Sequence, residues 1–127
     1  MKNTLSIILL FLSFGLMAQG QTTTDFVVLT PKIEQLQPIL LTAQEIKAEG
    51  NFEVVLYGNE VGKLTNPETD KFIQWAQKMN VKISVCRMSL DQLKINPNSL
   101  PKEIEIVDNA FLHSFQLQKK GYKNLSL

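Results

Sequence analysis

The sequence predicts an α/β fold: a three-layer α/β/α arrangement around a mostly parallel sheet of about five strands. Three observations carry this. Short apolar or β-branched runs recur at Asp25–Thr30, Phe52–Tyr57, Val81–Cys86 and Glu103–Val107. Segments with apolar residues at helical spacing lie between them. The connections have ordinary length, and strands alternating with helices favour a parallel sheet covered on both faces.

The elements follow in chain order. Asp25–Thr30 reads as a buried strand and is stopped by Pro31. Ile33, Leu36, Ile39, Leu40, Ala43 and Ile46 recur at helical spacing, but Pro38 interrupts them. A helix is therefore expected from about Pro38 to Glu49, after a loose approach. Gly50-Asn51 ends it with residues that tolerate positive φ. Phe52–Tyr57 is the second strand, and Gly58–Gly62 is the loop beyond its carboxyl end. Asn66 and Pro67 form a helix start, with Asn as N-cap and Pro in the first helical position.

The helix that follows has the clearest two-faced pattern. Phe72, Ile73, Trp75, Ala76 and Met79 fall on one side, and Asp70, Gln74, Gln77 and Lys78 on the other. Val81–Cys86 is the third strand, and Ser89–Leu93 fits a short helix capped by Ser89. Ile95–Pro101 is a loop. Glu103–Val107 is the fourth strand, with Glu103 and Glu105 alternating on one face. Asp108 or Asn109 caps a helix to about Lys120, with Ala110, Phe111, Phe115 and Leu117 expected to face inward. Gly121 ends that helix, and Tyr122–Leu127 supplies a short last strand.

Domain organisation is simple. Met1-Lys2-Asn3 precedes a 13-residue apolar run, Leu5–Met17, and then Ala18-Gln19-Gly20. A charged start, a short apolar core and small residues at the cut are the features of a secretory signal peptide. The run is shorter than the roughly 20 residues a spanning helix needs. Residues 1–20 are therefore read as a signal peptide and 21–127 as one domain. Its expected location is the periplasm or the cell exterior, with no membrane attachment after cleavage. Cleavage would remove one of the 13 basic side chains and balance the 12 acidic ones.

Composition excludes several functions. A chain with balanced charge and no basic run is poorly suited to nucleic acid, since phosphate neutralisation supplies most of that affinity. One Cys and one His exclude a disulfide framework and a zinc finger, and no metal site is expected. Neither phosphate-cradling glycine motif occurs, and no cofactor is expected.

Ligands of parallel sheets bind beyond the carboxyl ends of the strands. Thr30, Gly58–Gly62 and Cys86–Ser89 emerge there. Cys86 ends the third strand just before a helix start. The helix dipole and the neighbouring Arg87 both favour thiolate, the reactive form. Two readings stand: a nucleophile or sulfur carrier, and a small buried hydrophobe continuing Val81, Ile83 and Val85. A lone Cys in an exported chain is also a potential partner for disulfide pairing between subunits.

The other chemistry-bearing residues read as structural. His113 has no second metal ligand at suitable spacing, Trp75 and the two Phe residues of the last helix, Phe111 and Phe115, belong to the core or a subunit interface, and Glu60 is a solvated loop carboxylate near the site.

The segment from Phe52 to Leu127 resembles the DsrE/DsrF-like family of small sulfur-relay proteins. The residues that carry the resemblance are Tyr57-Gly58 with Val61 and Leu64, then Val85-Cys86 with Ser89-Leu90. Ile95, Pro97 and Leu100-Pro101 follow, then Ile104–Val107 and the closing Leu117-Gln118-Lys119-Lys120-Gly121-Tyr122. Arg87-Met88 departs from the small residues that many relatives have after the Cys. The resemblance implies the α/β/α fold and a homo-oligomer, trimeric or hexameric. It implies persulfide chemistry on Cys86, with a sulfur donor and an acceptor as partners that the sequence does not name. Arg87 would help stabilise the anion, and Gly58 and Ser89 are the expected binding positions. The competing expectation is a non-catalytic binding or assembly module of the same fold, with Cys86 as packing.

Overall fold

The computed structural model describes residues 23–46 and 50–127. The signal-peptide reading concerns residues outside that range. Five strands form one parallel sheet: β1 (Phe26–Thr30), β2 (Phe52–Leu56), β3 (Val81–Cys86), β4 (Glu105–Val107) and β5 (Lys123–Ser126). Their spatial order is β4-β3-β2-β1-β5. The helices are α1 (Leu36–Ile46), α2 (Asp70–Lys78), α3 (Arg87–Gln92) and α4 (Ala110–Lys119). None is long and apolar enough to cross a membrane among the described residues.

The order of strands explains the layers. From β1 to β4 the chain steps across the sheet in one direction, and right-handed crossovers then place every connection on one face. Residues of α1, α2 and α3 share a core there with Val28, Val54, Leu56, Ile83 and Val85. After β4 the chain returns past the whole sheet to β5, so α4 lies on the opposite face. Ala110 and Leu117 of α4 pack there on Val27, Leu29, Val55 and Cys86 in a smaller cluster.

Several local expectations are corrected. α1 begins at Leu36, and Pro38 sits in its first turn, where its missing N–H breaks no helical bond. A 3-10 turn, Ile33–Gln35, precedes it. Gly50 does not adopt positive φ. It is required because a Cβ would stand 2.5 Å from the Thr24 carbonyl oxygen. Asn66 caps a 3-10 turn, Pro67–Thr69, through Oδ1, and α2 starts only at Asp70. Glu103 lies before β4, while Glu105 pairs across the sheet with Lys82 at 3.0 Å.

The largest correction concerns α4. Ala110, Ser114 and Leu117 form its buried face. Phe111 and Phe115 are 52% and 63% exposed. Positions 110, 114 and 117 follow the helical period, and 111 and 115 fall on a second stripe with Leu112. Among the described residues, α4 is the single helix on this face of the sheet, and none of them covers that stripe.

Candidate functional site

The turn of the chain after β4 defines a crevice. β3 and β4 are neighbours, and Cys86 pairs in register with Val107 at their carboxyl ends. From there α3 leaves toward one face and α4 toward the other. Such a switch point is where open α/β sheets bind ligands, because the two helix N-termini diverge and leave a gap between them.

Cys86 occupies this crevice. It is the N-cap residue of α3, in extended conformation, so α3 begins two residues earlier than Ser89. Ser89 accordingly lies inside the first turn instead of capping it. A strand that runs apolar through Val85 and turns at once into a helix leaves its last side chain beside the first free N–H groups.

One backbone hydrogen bond reaches the sulfur, and the first turn of α3 lies beside it. The Ala110 N–H at the start of α4 reaches Sγ at 3.4 Å. The Met88 and Ser89 N–H groups and the Ser89 hydroxyl, in the first turn of α3, lie on its other side and favour the charged form. Burial pushes the Cys86 thiol up, but these hydrogen bonds to the charged form outweigh it, and its pKa lies below the ordinary thiol value. The residue is only 6% exposed.

Ser89 is itself oriented. Its Oγ accepts a hydrogen bond from the Gly58 N–H at 2.8 Å, which leaves the hydroxyl proton free to be donated elsewhere. Gly58 holds φ +85°, and a 3-10 stretch, Asn59–Thr65, starts there. Gly58 and Ser89 are thus linked by a hydrogen bond across the ends of β2 and β3, beside Cys86. Arg87 does not join them. Its Nε donates to Asp108 Oδ1 at 3.1 Å at the surface of the crevice. Glu60 stands apart as well: its Oε2 accepts from the Ile33 N–H at 3.0 Å and Oε1 pairs with Lys63. Thr30 is buried and caps the Pro31 turn by accepting from the Lys32 N–H.

Sequence reasoning missed one group altogether. Glu53, the second residue of β2, is 3% exposed. Its Oε1 accepts from Ser84 Oγ at 2.6 Å and bonds to His113 Nε2 at 2.8 Å. His113 is therefore a half-buried residue with a specific partner, 60 positions away. A lone carboxylate inside an otherwise apolar parallel strand is the signal that was available, since such a group is buried only with a partner.

Two depressions flank these groups. A groove of about 300 Å³ runs along β4 and the start of α4, lined by Val107, Asp108, Asn109, Leu112 and His113. A polar cleft of about 610 Å³ opens at the other end of the strands, by Asn51, Glu53, Lys82 and Tyr122. Among the described residues, no group of three His, Cys, Asp or Glu side chains is placed to hold a metal ion.

No family model and no curated protein matches the sequence. Solved structures do share the fold. A protein of unknown function from Methanobacterium thermoautotrophicum, MTH1491, superposes with a TM-score of 0.68 at 17% identity, over 82% of this chain and 97% of its own. A second, BT1422 from Bacteroides thetaiotaomicron, gives 0.62 at 17% identity, over 81% and 94%. The ychN protein of E. coli gives 0.66 at 12% identity, over 84% and 100%. These likenesses establish the α/β architecture and its strand arrangement as one that occurs in other proteins.

Proposed function

We propose that this chain is an exported member of the DsrE/DsrF-like family that carries sulfane sulfur as a persulfide on Cys86, working as a homo-oligomer. The observation that carries the reading is the placement of the Cys86 sulfur at the switch point of the sheet, as N-cap of α3 and bonded at 3.4 Å by the first N–H of α4. Donors arranged in this way stabilise a thiolate, which is the nucleophile in sulfur transfer.

The chemistry balances without a redox partner. The Cys86 thiolate attacks the outer sulfur of a donor persulfide, R–S–SH. The donor S–S bond breaks, R–S⁻ leaves, and Cys86–S–SH remains with the proton on its outer sulfur. An acceptor thiolate then attacks that outer sulfur, and Cys86 leaves again as a thiolate. The hydrogen bonds that stabilise Cys86 as a nucleophile also stabilise it as the leaving group in the second step. Arg87, tied to Asp108 at the crevice mouth, lends its charge to an incoming anionic donor.

A second reading is favoured by burial. Cys86 packs with Val27, Leu29, Val55, Ala110 and Leu117, and a structural Cys would suit a non-catalytic assembly module. One experiment separates the two. The native protein is treated with inorganic polysulfide and its intact mass measured beside a Cys86→Ala variant. A gain of 32 Da multiples, ~32 Da per sulfur atom, confined to the wild type supports the carrier. No gain, with a thiol that alkylates only after unfolding, leaves the structural reading.

A further inference from the structure

Cys86 stands between the starts of two helices, α3 and α4, and they are anchored differently. α3 continues directly from β3, so its Met88 and Ser89 N–H groups are fixed by covalent continuity. α4 follows β4 on the far side of the sheet, and the Ala110 N–H depends on how that helix is seated. Its apolar seat is small, being Ala110 and Leu117 over Val27, Leu29 and Val55.

One turn along from Ala110, His113 reaches down to the buried Glu53 of β2. Ser84 holds the same carboxylate oxygen from β3, two residues before Cys86 and on the same face of the sheet. The chain Ser84–Glu53–His113 therefore ties α4 to the two strands beside the sulfur. A buried carboxylate permits few alternatives, because losing its partner leaves a buried group without compensation. The cation nearest it, Lys82, is already matched with Glu105 at 3.0 Å, and Arg87 by the sulfur is matched with Asp108 at 3.1 Å. Neither pair is free to take over from His113.

We propose that Glu53 and His113 are positioning residues that hold the N-terminus of α4 against the Cys86 sulfur, with Ser84 fixing the carboxylate. This rests on Cys86 being the reactive thiol. Without the pin, the Ala110 N–H withdraws and the thiolate loses the hydrogen bond that α4 gives it.

The test is the rate of iodoacetamide alkylation of Cys86 against pH in the full chain. His113→Ala strands a buried charge and is a poor choice. The double variant Glu53→Leu/His113→Leu removes both polar partners and leaves an apolar pair. His113→Gln retains a side-chain N–H for Glu53. The expected result is a profile whose midpoint lies about one pH unit higher in the double variant than in wild type, roughly tenfold less thiolate at lower pH. His113→Gln should return most of that shift. An unshifted midpoint in a double variant with native circular dichroism overturns the pin but leaves the carrier standing. A native wild type that does not alkylate at all overturns both.

Discussion

Cys86 has two opposing influences on its charge, and their balance has a thermodynamic consequence. Burial favours the thiol, and hydrogen bonds from Ala110, Ser89 and Met88 favour the thiolate and prevail. A folded-state pKa below the unfolded value of about 8.5 means that, between the two, the native chain has released a proton the unfolded chain still holds. Stability contributed by Cys86 is therefore present above the unfolded value and is lost as pH falls through the folded one. Urea unfolding at a series of pH values should show the wild type gaining on Cys86→Ala as pH rises across that window. A constant difference would mean that the donors do not act on the charge. The residue scale also marks where the sequence is legible. The end of an apolar strand running into a helix start identified Cys86 without structure. Glu53 gave only a weak sign, because its partners Ser84 and His113 lie 31 and 60 positions away. Distant pairing of that kind leaves no local pattern.

At the scale of elements, the site depends on how α4 begins. Asn109 is its N-cap, in extended conformation, and its Oδ1 accepts from the Phe111 and Leu112 N–H groups. That satisfies two of the first free donors and leaves the Ala110 N–H directed at the sulfur. Asn109→Ala is expected to cost about 1 kcal/mol of stability and to lower the thermal midpoint by about 4 °C. It should also slow Cys86 alkylation near neutral pH, since a frayed first turn withdraws a donor. Asn109→Asp, which keeps an acceptor at the cap, should restore the thermal midpoint. The same element shows the limits of periodicity. Its capping residue and its end at Gly121 follow from local chemistry, and both stand in the structure. The inward face did not, since Phe111 and Phe115 read as core while the buried stripe is Ala110, Ser114 and Leu117. Large apolar residues on both stripes make the pattern ambiguous, and the sheet accepts the stripe with the smaller residues.

At the scale of the molecule, the reversal after β4 creates both the site and an unfinished surface. Strand alternation made the parallel sheet legible, but strand order depends on which way each crossover steps, and no residue encodes that alone. The reversal sends α4 by itself to one face, where Phe111, Leu112 and Phe115 stand exposed and Phe111 meets Tyr57 edge-on at 5.1 Å. Burying a phenyl side chain stabilises by about 1.5–3 kcal/mol, so two such rings supply much of what holds an interface. The proposed homo-oligomer would cover this stripe. Sedimentation equilibrium of the mature domain should then give a mass of three or six chains, and Phe111→Glu/Phe115→Glu should give single chains that keep native circular dichroism. Because α4 also carries the Ala110 N–H and His113, release of the stripe should slow sulfur loading of Cys86 even in folded monomers. A wild type that sediments as one chain would leave the stripe without a second copy to cover it and remove the oligomer from the proposed function. The carrier chemistry at Cys86 would then have to stand on one chain alone.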